Sequence, residues 1–178
     1  MDDWRKALDN GNIVGSVMID LSKALDSVNH TILLTKLEAY GVGGTELSSS
    51  WLRDYLTGRK QRVVFRGTTC SWTSIKRGVP QGSVLGPLLF SVFVNDLLAA
   101  IKQSSVNLYA DDTTIFYSAN DPADVSRVLE ADLNSVQTWI DDNLSMNIGK
   151  TQLMVLCRKG TRNLLREYLL YMYIVEIK

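Results

Sequence analysis

The chain has 178 residues, 46% of them hydrophobic, and its 19 basic and 19 acidic side chains leave a formal net charge of zero. Such a chain can bury a core as one domain, and it lacks the low hydrophobicity and high net charge of disordered segments. No stretch reaches the roughly 18 apolar residues of a membrane span, and the start, MDDWRKALDNGN, has neither the basic end nor the apolar centre of a signal peptide. The expectation is an intracellular protein, nuclear or cytoplasmic, with no membrane partner. Cys70 and Cys157 are far apart and have no His or Cys at zinc-ligand spacing, which predicts buried apolar thiols rather than a disulfide or a metal site.

In chain order, NIVGSVMIDL (12–21) predicts a strand ending at Asp20, because Val and Ile favour the pleated backbone. VNHTILLTKLEAY (28–40) places Ile32, Leu33, Leu37 and Tyr40 at amphipathic-helix spacing and stops at Gly41, and a second short helix is expected over 47–56, before Gly58. RKQRVVFRG and CSWTSIKRG read as two strands joined by a turn around residues 67–69. PLLFSVFVNDLLAAI (87–101) is apolar on nearly all sides and opens on Pro87, which predicts a buried helix. A strand pair pivoting at residues 110–113, a helix from Pro122 to Asn143 and a strand QLMVLC (152–157) follow. The predicted fold is α+β, with helices on one face of a mostly antiparallel sheet, as in ferredoxin-like folds. No internal repeat or low-complexity tract interrupts it.

The neutral total hides an uneven distribution. Residues 1–50, 51–77, 78–150 and 151–178 carry −3, +6, −6 and +3. A basic hairpin between acidic stretches can hold a phosphate backbone beside a cation-binding cluster, or can be a solvated surface.

NLYADDTTIFYS (107–118) sets Asp111 and Asp112 inside an apolar run. Adjacent carboxylates repel, and each loses hydration if partly buried, so the pair is favourable where a cation joins it or where it forms a polar hairpin turn. Asp20 closes the first strand, and neighbouring strands could bring it to the same sheet edge, so that three carboxylates converge. Two magnesium ions held there about 3.5–4 Å apart could serve a phosphoryl transfer. RGVPQGSVLGPLLF (77–90) packs Gly78, Gly82 and Gly86 around Gln81, as suits a base or sugar resting on the main chain, or simply a rigid loop.

MIDLSKALDSVNH, RGVPQGSVLGPLLF, YADD and LSMNIGKTQLMVL, in this order, resemble the palm motifs of reverse transcriptases, most closely those of non-LTR, LINE-type retrotransposons. The likeness covers residues 1–160 as a palm with partial fingers and leaves 161–178 as a divergent tail. It implies an RNA-directed DNA polymerase taking an RNA template, a DNA primer and dNTPs. Asp20, Asp111 and Asp112 would hold two Mg2+ ions, with Mn2+ a substitute, Asp111 facing Asp20 and Asp112 supporting. Gly78, Pro80, Gln81 and Gly82 would line the nucleotide and template site. Lys150 matches a lysine proposed to protonate the leaving pyrophosphate, or is a surface lysine. Leu25 stands where the family usually has an aromatic ring that excludes a ribose 2′-hydroxyl. Arg59, Lys60, Arg62 and Arg66 are the candidate nucleic-acid backbone contacts. His30 is expected to start or pack a helix. The resemblance also leads one to expect a truncated copy, without upstream fingers or a thumb, whose alternatives are a catalytically inactive nucleic-acid-binding remnant and, less well matched to the glycine loop, a metal nuclease or nucleotidyl cyclase.

Overall fold

Four antiparallel strands form the main sheet, and a strand buried on both faces lies inside it. A computed structural model describes residues 2–42, 46–144, 146–147 and 149–157. Its elements are α1 (Asp2–Asp9), β1 (Ile13–Ile19), α2 (Ala24–Ser27), α3 (His30–Ala39), α4 (Glu46–Leu56), β2 (Lys60–Gln61), β3 (Val64–Phe65), β4 (Thr68–Thr69), β5 (Thr73–Ser74), α5 (Leu85–Val94), α6 (Leu97–Ala100), β6 (Ser105–Tyr109), β7 (Asp112–Ala119), α7 (Pro122–Asn143) and β8 (Gln152–Leu156). They divide into two compact units, one of residues 1–21, 96–142 and 146 onward, the other of residues 22–95 and 143–145.

The first unit holds the sheet, in the order β6-β7-β1-β8. Every neighbouring pair is antiparallel, and the β1–β7 register runs from Ile13↔Ala119 to Ile19↔Thr113. Ile13, Val14, Gly15, Ser16 and Val17 are buried in succession, so the central strand is covered on both faces, as its apolar and small residues at both parities permit. Trp4 of α1 meets the Phe116 ring of β7 edge-on at 5.7 Å. The helix α7 has the bounds read from the sequence, because Asp121 accepts a hydrogen bond from Ala123 N through its side chain at 2.9 Å and Pro122 opens the first turn. Val125, Val128, Leu129, Val136 and Ile140 form its buried stripe.

Asp132 of α7 is 2% exposed, yet its carboxylate accepts from Lys102 N at 2.9 Å, Gln103 N at 3.0 Å and Ser104 N at 2.6 Å. Burial alone would raise its pKa, but these backbone donors favour the charged form and hold the carboxyl below its ordinary value. The group thereby fixes the segment that leads into β6. A depressed folded pKa contributes stability that is complete above the unfolded value of about 4 and is lost as pH falls through the folded value. Asp132→Asn is expected to cost about 1.5–3 kcal/mol near neutral pH, the range for hydrogen bonds to a charged group. Urea titrations from neutral to acid pH check this, and the gap between the two proteins should narrow on the acid side. A gap constant through that window would mean that the Asp132 charge is not what holds the segment.

In the second unit, Asn29 caps α3 through hydrogen bonds from Thr31 N (2.9 Å) and Ile32 N (3.4 Å), and Leu33, Leu37, Leu56, Leu89, Phe90 and Phe93 are buried. The single helix expected over 87–101 is two, α5 and α6, separated by Asn95 and Asp96, residues whose side chains compete with the backbone for hydrogen bonds. Its burial is one-sided too: Leu88 and Ser91 are exposed.

The basic hairpin exists, but as two short ladders, β2–β5 and β3–β4. Between them the outgoing strand spends Arg62 and Val63 and the returning strand Cys70, Ser71 and Trp72, one extra residue that breaks the pairing as a bulge does. Arg66 (φ +48°) and Gly67 (φ +80°) close the tip with the two left-handed residues that a tight two-residue turn needs. Cys70 lies on this hairpin and is exposed, and Cys157 is half-buried, so the expected pair of buried thiols is corrected for both. Among the described residues no helix is long and apolar enough to cross a membrane. The tail predicted over 161–178 lies outside the described residues.

Candidate active site

Ile19 and Thr113 are the last registered pair of β1 and β7. Asp20 follows the first directly and Asp112, the first residue of β7, precedes the second, so both stand at the same end of neighbouring strands. Asp111 lies in the two-residue turn that joins Tyr109 to its partner Asp112. Ala110, the other turn residue, has φ +55°, a left-handed conformation that costs a Cβ-bearing residue about 1–2 kcal/mol and stores strain beside Asp111.

Asp20 is half-buried, whereas Asp111 and Asp112 are exposed. The burial cost that set the pair apart in the sequence is therefore not incurred; a hairpin turn presents them to water. Among the described residues no three His, Cys, Asp or Glu side chains form a group able to hold a metal ion. The ends of the strands that carry these carboxylates meet at one sheet edge, as expected. In donor chemistry the set fits a hard divalent cation, since all three offer carboxylate oxygens.

The same end of this unit carries the Lys150 turn. Asn147 N donates to the Asp20 carbonyl at 2.8 Å, and the Asn147 carbonyl accepts from Lys150 N and Thr151 N, each at 3.1 Å. Lys150 is exposed and closes a turn anchored on the backbone of Asp20. Sequence reasoning missed Asn147; its signal was its place at the head of NIGKTQ, a turn composition directly before a strand.

The second unit assembles the glycine loop. Gly78 N donates to Val28 O and Val79 N to Leu25 O, each at 2.8 Å, and the buried His30 ring places Nε2 at 2.8 Å from Gly78 O. Gln81 Nε2 donates to Asp26 Oδ1 at 2.7 Å. A Cβ on Gly78 would meet Asp26 Cα and its carbonyl oxygen at 2.8 Å, so the close approach requires glycine. Leu25, half-buried, is thereby tied through its backbone to the loop of Gly78, Pro80, Gln81 and Gly82. His30 does start a helix, as expected, but it also braces this loop. Asp26 and His30 are a turn apart in LDSVNH and were not paired with the loop in the sequence, because their partners lie about fifty residues away.

Beside that loop lies an open cavity of about 930 Å³, lined by Lys23, Arg59, Lys60, Lys76 and Arg77 against the single carboxylate of Asp26. Arg59 and Lys60 belong to it, and Gly78, Pro80 and Gln81 share its wall. Arg62 and Arg66 do not line it and sit farther out on the hairpin.

Comparison with known proteins follows the same residues. A family described as "Reverse transcriptase (RNA-dependent DNA polymerase)" matches residues 5–169. The chain is 33% identical over 147 residues to the "Probable RNA-directed DNA polymerase from transposon BS" of Drosophila melanogaster, covering 75% of this chain and 15% of that protein. It is 32% identical over 153 residues to the RNA-directed DNA polymerase from mobile element jockey of Drosophila funebris, covering 82% and 16%. The chain thus spans about a sixth of the length of these relatives. In fold it is similar to apo telomerase from Candida Tropicalis truncated from the C-terminal domain, with a TM-score of 0.63 at 14% identity, over 89% of this chain and 34% of that one.

Proposed function

The chain belongs to the reverse transcriptase (RNA-dependent DNA polymerase) family, and from that premise we propose that it is the palm of an RNA-directed DNA polymerase of a non-LTR retrotransposon, joining a dNTP to a primer 3′-hydroxyl on an RNA template. The observation that supports this reading best is the placement of Asp20 and Asp112 at one end of adjoining antiparallel strands, with Asp111 in the turn between β6 and β7. The strand order β6-β7-β1-β8 supports a ferredoxin-like palm.

In this reading Asp20, Asp111 and Asp112 offer oxygen ligands to divalent cations, magnesium or in its place manganese. When bound, such ions would supply Lewis acidity to the attacking hydroxyl and neutralise charge on the departing pyrophosphate. The chain's own residues position the reactants. The basic cavity beside Gly78 holds phosphate, and Arg59, Lys60, Arg62 and Arg66 meet the nucleic-acid backbone. The main chain from Gly78 to Gly82 carries the nucleotide and template base. Lys150, on the turn fastened to Asp20, supplies a proton to the leaving group.

A second reading is an inactive nucleic-acid-binding remnant, and it is supported by the exposed cations of the 59–77 hairpin, which can bind a phosphate backbone without any chemistry. The test is templated dNTP incorporation by a chimera in which this palm is joined to the fingers and thumb of a related enzyme. Incorporation above that of a carboxylate-free control supports the polymerase; a folded chimera that binds RNA and incorporates nothing supports the remnant.

Leu25 is joined to the glycine loop through its backbone carbonyl, and in this reading its flexible side chain takes the place of a flat ring that would exclude a ribose 2′-hydroxyl. Leu25→Phe in the chimera is expected to raise the preference for dNTP over rNTP, by roughly tenfold if one misplaced hydroxyl costs about 1–3 kcal/mol. Single-nucleotide incorporation with each substrate measures the ratio. A ratio that stays the same means that Leu25 does not touch the sugar.

A further inference from the structure

Residues 59–77 carry six basic side chains and no acidic one. Among the described residues none of the six is in an ion pair. The same hairpin exposes large apolar side chains that a folded protein would ordinarily cover: Phe65 is 68% exposed and Trp72 59%. Scattered exposed apolar residues need no explanation, but here each ring carries an arginine. The Arg62 guanidinium lies 4.6 Å from the centroid of Trp72, and that of Arg66 lies 5.3 Å from Phe65, both within cation–π range. An arginine laid on a ring is held in place, and its N–H donors, unclaimed by any carboxylate, remain available to an anion.

The matching ligand must be polyanionic and must also offer flat apolar faces. A nucleic-acid duplex meets only the first condition, because its bases are stacked on one another and it presents phosphates. An unpaired strand meets both, since bases free of a partner stack on aromatic side chains while the backbone follows the cations. We propose that the 59–77 hairpin is a binding platform for single-stranded RNA or DNA, with bases stacking on the open faces of Trp72 and Phe65 and phosphates bound by Arg62 and Arg66. This rests on the reading of the hairpin as a nucleic-acid contact and adds to it the strandedness of the ligand. The bulge at residues 70–72 serves this role, since it frees Trp72 from a regular ladder and leaves it opposite Arg62.

The test is fluorescence anisotropy with the 178-residue chain, a short mixed-sequence RNA, the DNA of the same sequence and the corresponding duplexes, each over a range of salt. Single strands are expected to bind more tightly than duplexes, and the RNA and DNA arms show which strand is preferred. Trp72→Ala and Phe65→Ala should each weaken single-strand binding roughly 5- to 150-fold, the range for base–aromatic stacking, with the salt slope unchanged. Trp72→Phe should recover most of the loss. Arg62→Gln should instead flatten the logarithmic salt slope by about 0.7, the change for one phosphate contact to a single strand. Because these side chains are exposed, circular dichroism should show all variants folded. If the alanine variants bind single strands like the parent while Arg62→Gln flattens the slope, stacking is refuted and simple backbone contact stands. If neither set changes binding, the nucleic-acid reading of the hairpin falls as well. If Trp72→Ala leaves oligonucleotide binding intact but abolishes self-association in sedimentation, the platform takes a second copy of this chain and the proposal is overturned.

Discussion

Asp20→Asn, placed in a polymerase that joins these residues to the fingers and thumb of a related enzyme, is expected to lower templated dNTP incorporation by about a hundred- to a thousandfold, the scale of losing one preorganised charge-stabilising group. Asp111→Asn should fall in the same range, and Asp112→Asn should cost less if its role is support. The backbone makes this ranking a sharp test, because the register gives Asp112 the position beside Asp20 and leaves Asp111 in the strained turn after Ala110. A larger loss for Asp112 would transfer the principal role to it. RNA binding should be nearly unaffected in all three variants, since the cations proposed to hold the backbone lie on the 59–77 hairpin. The 178-residue chain by itself should bind nucleic acid weakly, with strong salt dependence, and extend a primer at no detectable rate with magnesium or manganese. It corresponds to about a sixth of its relatives' length, and positioning of the reactants, which the rest of a polymerase would complete, can account for about 7–11 kcal/mol of a barrier. Robust extension by this chain alone would refute that argument.

Gly78→Ala is expected to destabilise the second unit by about 2–4 kcal/mol, from a left-handed backbone that disfavours a side chain and a contact that cannot relax. At φ +91° the new Cβ would press on Asp26 Cα and carbonyl oxygen at 2.8 Å, and both are main-chain atoms. Relief would move the loop away from His30 and Leu25, whose contacts hold it. Gly82→Ala is the internal control. Its φ of +75° imposes the conformational cost, but nothing lies within 4 Å of its added Cβ, so it should lose only about 1 kcal/mol. Urea unfolding midpoints of the two variants measure the difference, and equal losses would show that contact with Asp26 is not what fixes the loop.

The elements whose signals are local are legible in the residues alone. β1 and β8 follow from Val, Ile, Leu and Met runs, α7 from its Pro122 start and a regular apolar stripe, and a strand pivot within residues 110–113 from two carboxylates in an apolar run, although Asp112 proves to open β7 and not to lie in the turn. The order of the four motifs is enough to point to the family that residues 5–169 match. Where a signal depends on distant partners, the sequence misleads or is silent. The apolar run over 87–101 looks like one buried helix; its break falls at Asn95 and Asp96, whose side chains compete for backbone hydrogen bonds, whereas the exposure of Leu88 depends on which positions residues far away in the chain cover. Cys70 looks like a core thiol because cysteine is usually buried, whereas its place on a projecting hairpin exposes it.

By itself the sequence determined the chemistry on offer: three carboxylates at the ends of strands, a glycine loop before an apolar helix, and a hairpin with cations and no acids. Those are properties of residue type and short spacing, which hydrophobic periodicity and turn chemistry report directly. Only the tertiary structure decided which groups meet. It set Asp20 and Asp112 at one sheet end, because antiparallel pairing of β1 with β7 fixes residues about a hundred positions apart at adjoining steps. It made His30 and Asp26 the brace of Gly78, and it laid Arg62 on Trp72. Such contacts carry no periodicity along the chain; they arise from packing, in which the energy of each pair depends on where every other element has come to rest.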